Sequence, residues 1–274
     1  MNIINLMHMR ILGTSLLLTM TSAYAQQDKN NIKSNDYSEE AAENHASDSP
    51  QLSADDHLSE HGGQLHQSTE VETKWLNENG HNVWHSQLES RIGTDENQLF
   101  VQINMEKAES EKPAYDAKVM YGRAIAEFWN AQIGLRHYRQ TEQQAEKNQT
   151  YAAIGLHGLA RYFFDTDIYI YAGKDRQFLM TAEFDRDILI TQKLIAQPYL
   201  HSEIVFSDQS KYAKKTGINH ISAGLETRYE ITKQIMPFIE VGYKYEKGHP
   251  ETLWQEHETY SHGWLYGAGV KFLF

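Results

Sequence analysis

Three observations predict an all-β fold: an antiparallel transmembrane β-barrel of about twelve strands behind a disordered N-terminal tail. The first is the last strand, Ser261 to Phe274. Trp264, Tyr266, Ala268, Val270, Phe272 and Phe274 share one face at period two, and Gly263, Leu265, Gly267, Gly269, Lys271 and Leu273 share the other. An apolar, aromatic-ended face opposite a small or polar one suits a strand with lipid outside and a wet lumen inside. The aromatic terminal residue matches the export mark of bacterial outer-membrane barrels. A half-buried strand of a soluble sandwich would show the same alternation, so this strand alone leaves that alternative open.

The second observation lies at the other end. Met1 to Met9 carries few polar groups, Arg10 supplies a positive charge, and Ile11 to Met20 is apolar. Ser22-Ala23-Tyr24-Ala25 puts small residues where a signal peptidase reads them, giving a signal peptide over 1–25 and cleavage before Gln26. With no Cys after the apolar core, a lipoprotein anchor is not expected. No later run approaches the roughly 20 apolar residues of a spanning helix. Only helices and closed barrels satisfy their backbones in lipid, so an exported membrane chain of this kind is a barrel.

Composition agrees. Aromatics make up 11% of the chain, 16 of them Tyr, and the mean hydropathy is negative. That balance is too polar for a helical membrane protein and suits a barrel with polar inward faces. The length accommodates one large domain plus a tail. The absence of Cys excludes disulfides and thiolate metal sites, leaving His, carboxylate and Met as ligands. A net charge of -12 argues against nucleic acid and favours cations.

The segment 26–69 has almost no aromatic or β-branched residues, and up to Glu72 the chain sets eleven Asp/Glu against Lys29 and Lys33. Such a segment cannot bury enough apolar area to offset its ordering entropy, and it reads as a disordered, acidic, His-rich periplasmic tail. His45 is followed by His57, His61 and His66, with Glu60 between. Imidazole suits Cu(II), Zn(II) and Ni(II), and nearby carboxylates add charge without a folded cage. These four histidines are candidate metal ligands; an ordinary solvated tail is the alternative. There is no His-Glu-x-x-His and no fixed zinc scaffold.

The third observation is the barrel region itself, 70–274, where alternating segments of about ten residues are separated by turns. The expected strands are Val71–Leu76, Val83–Ile92, Gln98–Lys107, Tyr115–Ile125, Phe128–Tyr138, Tyr151–Ala160, Phe163–Gly173, Gln177–Leu189, Leu194–Phe206, Ile218–Glu230, Met236–Lys247 and Ser261–Phe274. Short turns alternate with longer loops near 108–114, 139–149, 207–217 and 248–260. The even count places both termini on the periplasmic side. If Ile168 and Ile170 face lipid, then Asp165, Asp167, Tyr169 and Tyr171 face inward. The same alternation turns Glu183, Asp185, Asp187, His157, His201, Glu203, Glu226, Arg228, Glu240, Lys244 and Met120 inward. An interior this acidic, with two histidines and a methionine, suits successive weak cation sites. The alternative is a set of Arg–carboxylate networks, such as Arg136 or Arg228 with Glu226, that fill and neutralise the lumen.

Four stretches carry a resemblance: Val119 to Arg136, Gly155 to Phe164, Asp187 to Pro198, and Gly224 to Ile231 with Pro237-Phe238-Ile239. In this order over roughly residues 70–274 they are similar to the outer-membrane copper resistance protein B family. The resemblance implies an outer-membrane barrel in copper tolerance, with a copper ion as bound cargo and a periplasmic multicopper oxidase as a partner. With copper as the cargo, the residues that alternation turns inward become its candidate contacts, Met120, His157 and His201, with Asp165, Asp167, Glu183, Asp185, Glu203 and Glu226 as the acidic lumen. The tail departs from the family, which often carries Met-rich repeats there. Here histidine and acid replace sulfur, favouring Cu(II) or Zn(II) over Cu(I).

An enzyme is not expected. Ser202 beside His201 would point to opposite faces of a strand, and no Gly-x-Ser-x-Gly, phosphate loop or paired-carboxylate cue stands out. The reading is a copper-binding barrel that sequesters copper or exports it from the periplasm. Two alternatives remain: a non-transporting barrel that docks an oxidase, and a general small-solute channel.

Overall fold

The computed structural model describes residues 65–109, 112–141 and 146–274. The expected signal peptide and most of the expected tail, with His45, His57 and His61, lie outside the described residues. Thirteen strand segments follow in order. They are β1 (His66–Glu78), β2 (His81–Gly93), β3 (Asn97–Ala108), β4 (Ala114–Ala126), β5 (Trp129–Gln140), β6 (Asn148–Ala160), β7 (Phe164–Gly173), β8 (Phe178–Asp185), β9 (Ile188–Leu189), β10 (Leu194–Ser207), β11 (Gly217–Tyr229), β12 (Ile235–Glu246) and β13 (Ser261–Leu273).

Neighbouring strands pair antiparallel, β1 pairs with β13 and β10 with β11, so the sheet closes on itself. At the seam, the amide of Phe274 donates to Thr69 O at 2.8 Å and Thr69 N donates to Phe274 O at 3.1 Å. Closure leaves no unpaired edge, which is what a sheet needs in lipid. Both β8 and β9 pair with β10, so they are two pieces of one crossing strand and the barrel has twelve.

Two boundaries differ from expectation. β1 begins at His66 rather than near residue 70, because His66 to Thr69, though polar and without alternation, pair their backbones with Gly93 to Ser90. The expected strand Gln177–Leu189 is interrupted at Arg186 and Asp187. There the Arg186 amide bonds to Pro198 O, and the Asp187 carboxylate pairs with Arg228.

The two barrel ends differ. At one end the connections are short, as at Glu127-Phe128 between β4 and β5. At the other, β10–β11 and β12–β13 are joined by longer loops that pack together: Thr252 Oγ1 donates to Lys211 O at 2.7 Å and Gln255 Nε2 to Ala213 O at 2.9 Å. The exceptions at the loop end are the four-residue connection between β7 and β8 and the β1–β2 hairpin. Asn79 (φ 51°) and Gly80 (φ 89°) are both left-handed, the pairing that a tight two-residue hairpin requires.

Alternation sorts the side chains as the sequence implied. Ile133, Leu135, Ile154, Val241, Trp264 and Tyr266 stand exposed on the outer wall, where lipid covers them. Inside, Phe100, Met120, Tyr151, Ala153, Tyr169, Tyr171, Leu179 and Val205 form a packed cluster. Inward glycines make the room for it. A Cβ at Gly155 would stand 2.2 Å from the Tyr169 ring, and one at Gly224 or Gly242 2.6 Å from the Tyr199 hydroxyl. Among the described residues no helix is long and apolar enough to cross a membrane.

Candidate metal centre in the lumen

A cavity of about 1200 Å³ is lined from both ends of the barrel, from Ser68 and Leu273 at the turn end to Glu106 and Glu246 at the loop end. Near the turn end, register places His157 of β6 opposite Asp167 of β7. Two residues earlier on β7, Asp165 shares that face. His157 Nδ1 is 2.9 Å from Asp167 Oδ1 and 3.9 Å from Asp165 Oδ1. One ligand atom from each of the three lies within 4.8 Å of the others, the one such grouping of His and carboxylate among the described residues.

The surroundings fix the imidazole. Arg91 Nη2 is 3.0 Å from His157 Nε2. Arginine only donates, so Nε2 accepts and Nδ1 carries the proton given to Asp167. The Phe100 ring sits edge-on to His157 at 5.4 Å, with Arg91 4.9 Å above that same ring. The Tyr169 hydroxyl is 2.9 Å from Asp167 Oδ1 and 2.7 Å from Gln132 Oε1, one proton serving two acceptors. One imidazole and two carboxylates form a nitrogen–oxygen donor set, which suits Cu(II) or Zn(II) better than Cu(I). A metal at Nδ1 must replace its proton and move the N–H to Nε2, and Arg91 then loses its acceptor. Metal and the Arg91 contact exclude each other.

The other expected residues fall into three groups. His157, Asp167, Glu183, His201, Ser222 and Lys244 occupy one row of paired positions across β6, β7, β8, β10, β11 and β12. His201 therefore lies three strands from His157, roughly 14 Å along the wall, with its ring tilted against Tyr199 at 5.0 Å. The remaining acids are engaged by neighbours. Asp185 accepts from Gln197 Nε2, and Glu203 accepts from Lys214 Nζ at 2.6 Å. Glu226 lies 3.5 Å from both Arg228 and Lys271. The Arg228–Glu226 network is present as the alternative reading proposed, whereas Arg136 pairs with Asp116 at 2.7 Å instead. Met120 faces inward as expected but is 0% exposed, its sulfur packed in the aromatic cluster rather than lining the cavity. His66 is exposed on the first residue of β1, 3.7 Å from Asp95.

Sequence reasoning missed Arg91. Its signal was available: Arg91 alternates with Glu89, Gln87 and His85 along β2, all of which line the cavity.

Known proteins resemble this chain in family and in fold. A family model described as "Copper resistance protein B precursor (CopB)" matches residues 65–274. A copper resistance protein B from Escherichia coli is 24% identical over 201 residues, covering 73% of this chain and 67% of the relative. A copper resistance protein B homolog from Pseudomonas syringae pv. tomato (strain ATCC BAA-871 / DC3000) is 26% identical over 168 residues, 61% of this chain and 56% of the relative. This chain thus spans about two-thirds of the first relative's length and just over half of the second's. Among solved structures the NanC porin superposes with a TM-score of 0.50 at 12% identity, over 74% of this chain and 98% of that one, a likeness of fold. The KdgM porin gives a TM-score of 0.48 at 12% identity, over 76% of this chain and 99% of that one. With a twelve-stranded closed barrel and a family match over all of it, the chain belongs to the copper resistance protein B family.

Proposed function

We propose that this barrel binds copper within its lumen in the outer membrane, sequestering the ion or exporting it from the periplasm, without catalysing a reaction. The observation that carries this reading is the His157–Asp165–Asp167 cluster, which offers converging nitrogen and oxygen donors to a cavity open to the lumen. Family membership supplies the identity of the ion. The donor set favours Cu(II) as the bound state.

Each residue has a distinct role in this reading. His157 Nδ1 supplies the nitrogen ligand, and Asp165 and Asp167 supply oxygens and charge. Tyr169 orients Asp167, since a second partner fixes the carboxylate that a metal will use. Arg91 balances the acids when no metal is bound. His201 and Glu183, further along the same row, form a weaker onward contact. The turn end faces the periplasm, where residues 26–65 present His45, His57 and His61 as collectors of metal and a multicopper oxidase is the partner.

Copper tolerance of cells making the wild type should fall when His157→Ala or Asp167→Asn is introduced at equal outer-membrane abundance. Tolerance unchanged in both variants would sink the lumen site. Replacing His45, His57, His61 and His66 together with Ala tests the tail separately, and unchanged tolerance there would restrict the role to the barrel.

A further inference from the structure

A second cluster of ionisable side chains stands at the loop end of the lumen. Lys244 Nζ of β12 donates to Glu78 Oε2 of β1 at 2.7 Å and lies 3.2 Å from Glu246 Oε1 on its own strand. Each carboxylate has an imidazole beyond it. His85 Nε2 of β2 is 3.4 Å from Glu78 Oε1, and His220 Nδ1 of β11 is 3.6 Å from Glu246 Oε1. The order is imidazole, carboxylate, ammonium, carboxylate, imidazole, drawn from four strands.

Two further observations concern the same atoms. His85 Nε2 is shielded from solvent and, although 3.4 Å from Glu78 Oε1, is not aligned for a hydrogen bond with it. Glu78, Lys244 and Glu246 line both the large lumen cavity and a separate one of about 410 Å³ at the loop end, where His81 and Glu109 also stand. The ion-paired trio, together with Leu265, forms the lining that the two spaces share.

We propose that this cluster is a divalent-cation site of the Cu(II)/Zn(II) class at the loop-end mouth, held shut by Lys244. The entering ion displaces the ammonium and takes Glu78 and Glu246 as oxygen ligands and His85 and His220 as nitrogen ligands. Lys244 is a tethered stand-in cation: one ammonium keeps two carboxylates from repelling each other when no metal is present. Two carboxylates with two neutral imidazoles balance a divalent charge and supply the four donors that such ions take. Displacing Lys244 also alters the lining that the two cavities share, so occupancy and passage between them are coupled. The geometry owes nothing to His157; only the choice of copper as probe rests on the proposed function.

The test uses the full-length chain folded in detergent, titrated with Cu(II) by equilibrium dialysis and followed by the nitrogen hyperfine pattern in electron paramagnetic resonance. The background is His157→Ala with His45, His57, His61 and His66 also replaced by Ala, which silences the turn-end cluster and the tail. In it, Lys244→Met should tighten Cu(II) binding at least tenfold, and Lys244→Arg should not. Adding His85→Ala and His220→Ala should abolish the gain and its hyperfine signature. Unchanged or weaker binding in Lys244→Met, with the barrel shown folded by its heat-dependent gel mobility, overturns the proposal. So does a gain that survives loss of both histidines. If Lys244→Met does not fold, the weak Cu(II) signal of the background protein, which lacks His157 and the tail histidines, must itself disappear with His85→Ala and His220→Ala, and its persistence overturns the site. Loss of binding in His157→Ala alone speaks to the proposed function and leaves this site standing.

Discussion

On β3 to β8 and β10, Phe100, Met120, Tyr151, Tyr169, Tyr171, Leu179 and Val205 pack into one aromatic and apolar cluster, with His157 and Gln132 buried beside it. On β1 and β11 to β13 the buried side chains include five charged ones, Glu72, Glu226, Arg228, Glu240 and Lys271, beside Leu76, Met236, Phe238 and Leu265. Lys271 Nζ lies 3.3 Å from Glu70 and Glu72, Lys74 donates to Glu240 at 2.9 Å, and Arg228 reaches Glu226 and Asp187. Tyr199, in the hollow left by Gly224 and Gly242, donates to Glu240 at 2.6 Å. The aromatic side sets the shape of its part of the lumen and carries ion pairs of its own, Arg136 with Asp116 and His157 with Asp167. The charged side pairs every described carboxylate it buries with a resident cation, and a resident cation is something a metal ion can replace. The imidazoles sit where these two chemistries meet: His157 has Phe100 on one side and Arg91 on the other.

That contrast can be broken first on the aromatic side. Tyr169→Ala removes a buried ring and two polar contacts, and should cost about 4 kcal/mol, read as an earlier urea unfolding midpoint in lipid vesicles. On the charged side, Lys271→Met leaves Glu70 without a cation and Glu72 and Glu226 with one each, Lys74 and Arg228, and should cost about 3 kcal/mol. Added Cu(II) should restore part of that loss while restoring none of the loss in Tyr169→Ala; equal behaviour of the two variants would erase the distinction between the sides. Gly242→Ala pushes a methyl against the Tyr199 hydroxyl and should cost about 2 kcal/mol through overpacking. Lys214→Ala, whose ammonium is half exposed although it bonds to Glu203, should change stability by no more than about 0.5 kcal/mol.

The wall of the barrel was legible in the sequence because its signal is local. Trp264, Tyr266 and Gly267 declare their faces within a few residues, and period-two alternation does the same for Asp165, Asp167 and Tyr169. What escaped depends on neighbours remote in the chain. Lys244 meets Glu78 across 166 positions, and Arg91 meets His157 across 66. Only the pairing register brings them together, and no periodicity within a strand encodes it. The break between β8 and β9 was hidden for a related reason: alternation runs on through Asp187-Ile188-Leu189, while the interruption follows from Arg186 and Asp187 bonding to β10 and β11. The start of β1 was missed in the other direction, since His66 to Thr69 are held by backbone pairing without an apolar face.

The most direct measurement is the metal stoichiometry of the full-length folded chain after equilibrium dialysis against Cu(II), Cu(I) under reductant and Zn(II), repeated with His157→Ala. The account predicts selective retention of Cu(II) and the loss of one equivalent in His157→Ala with the barrel intact. Negligible retention, or retention that His157→Ala leaves unchanged, would contradict a copper site built from His157, Asp165 and Asp167.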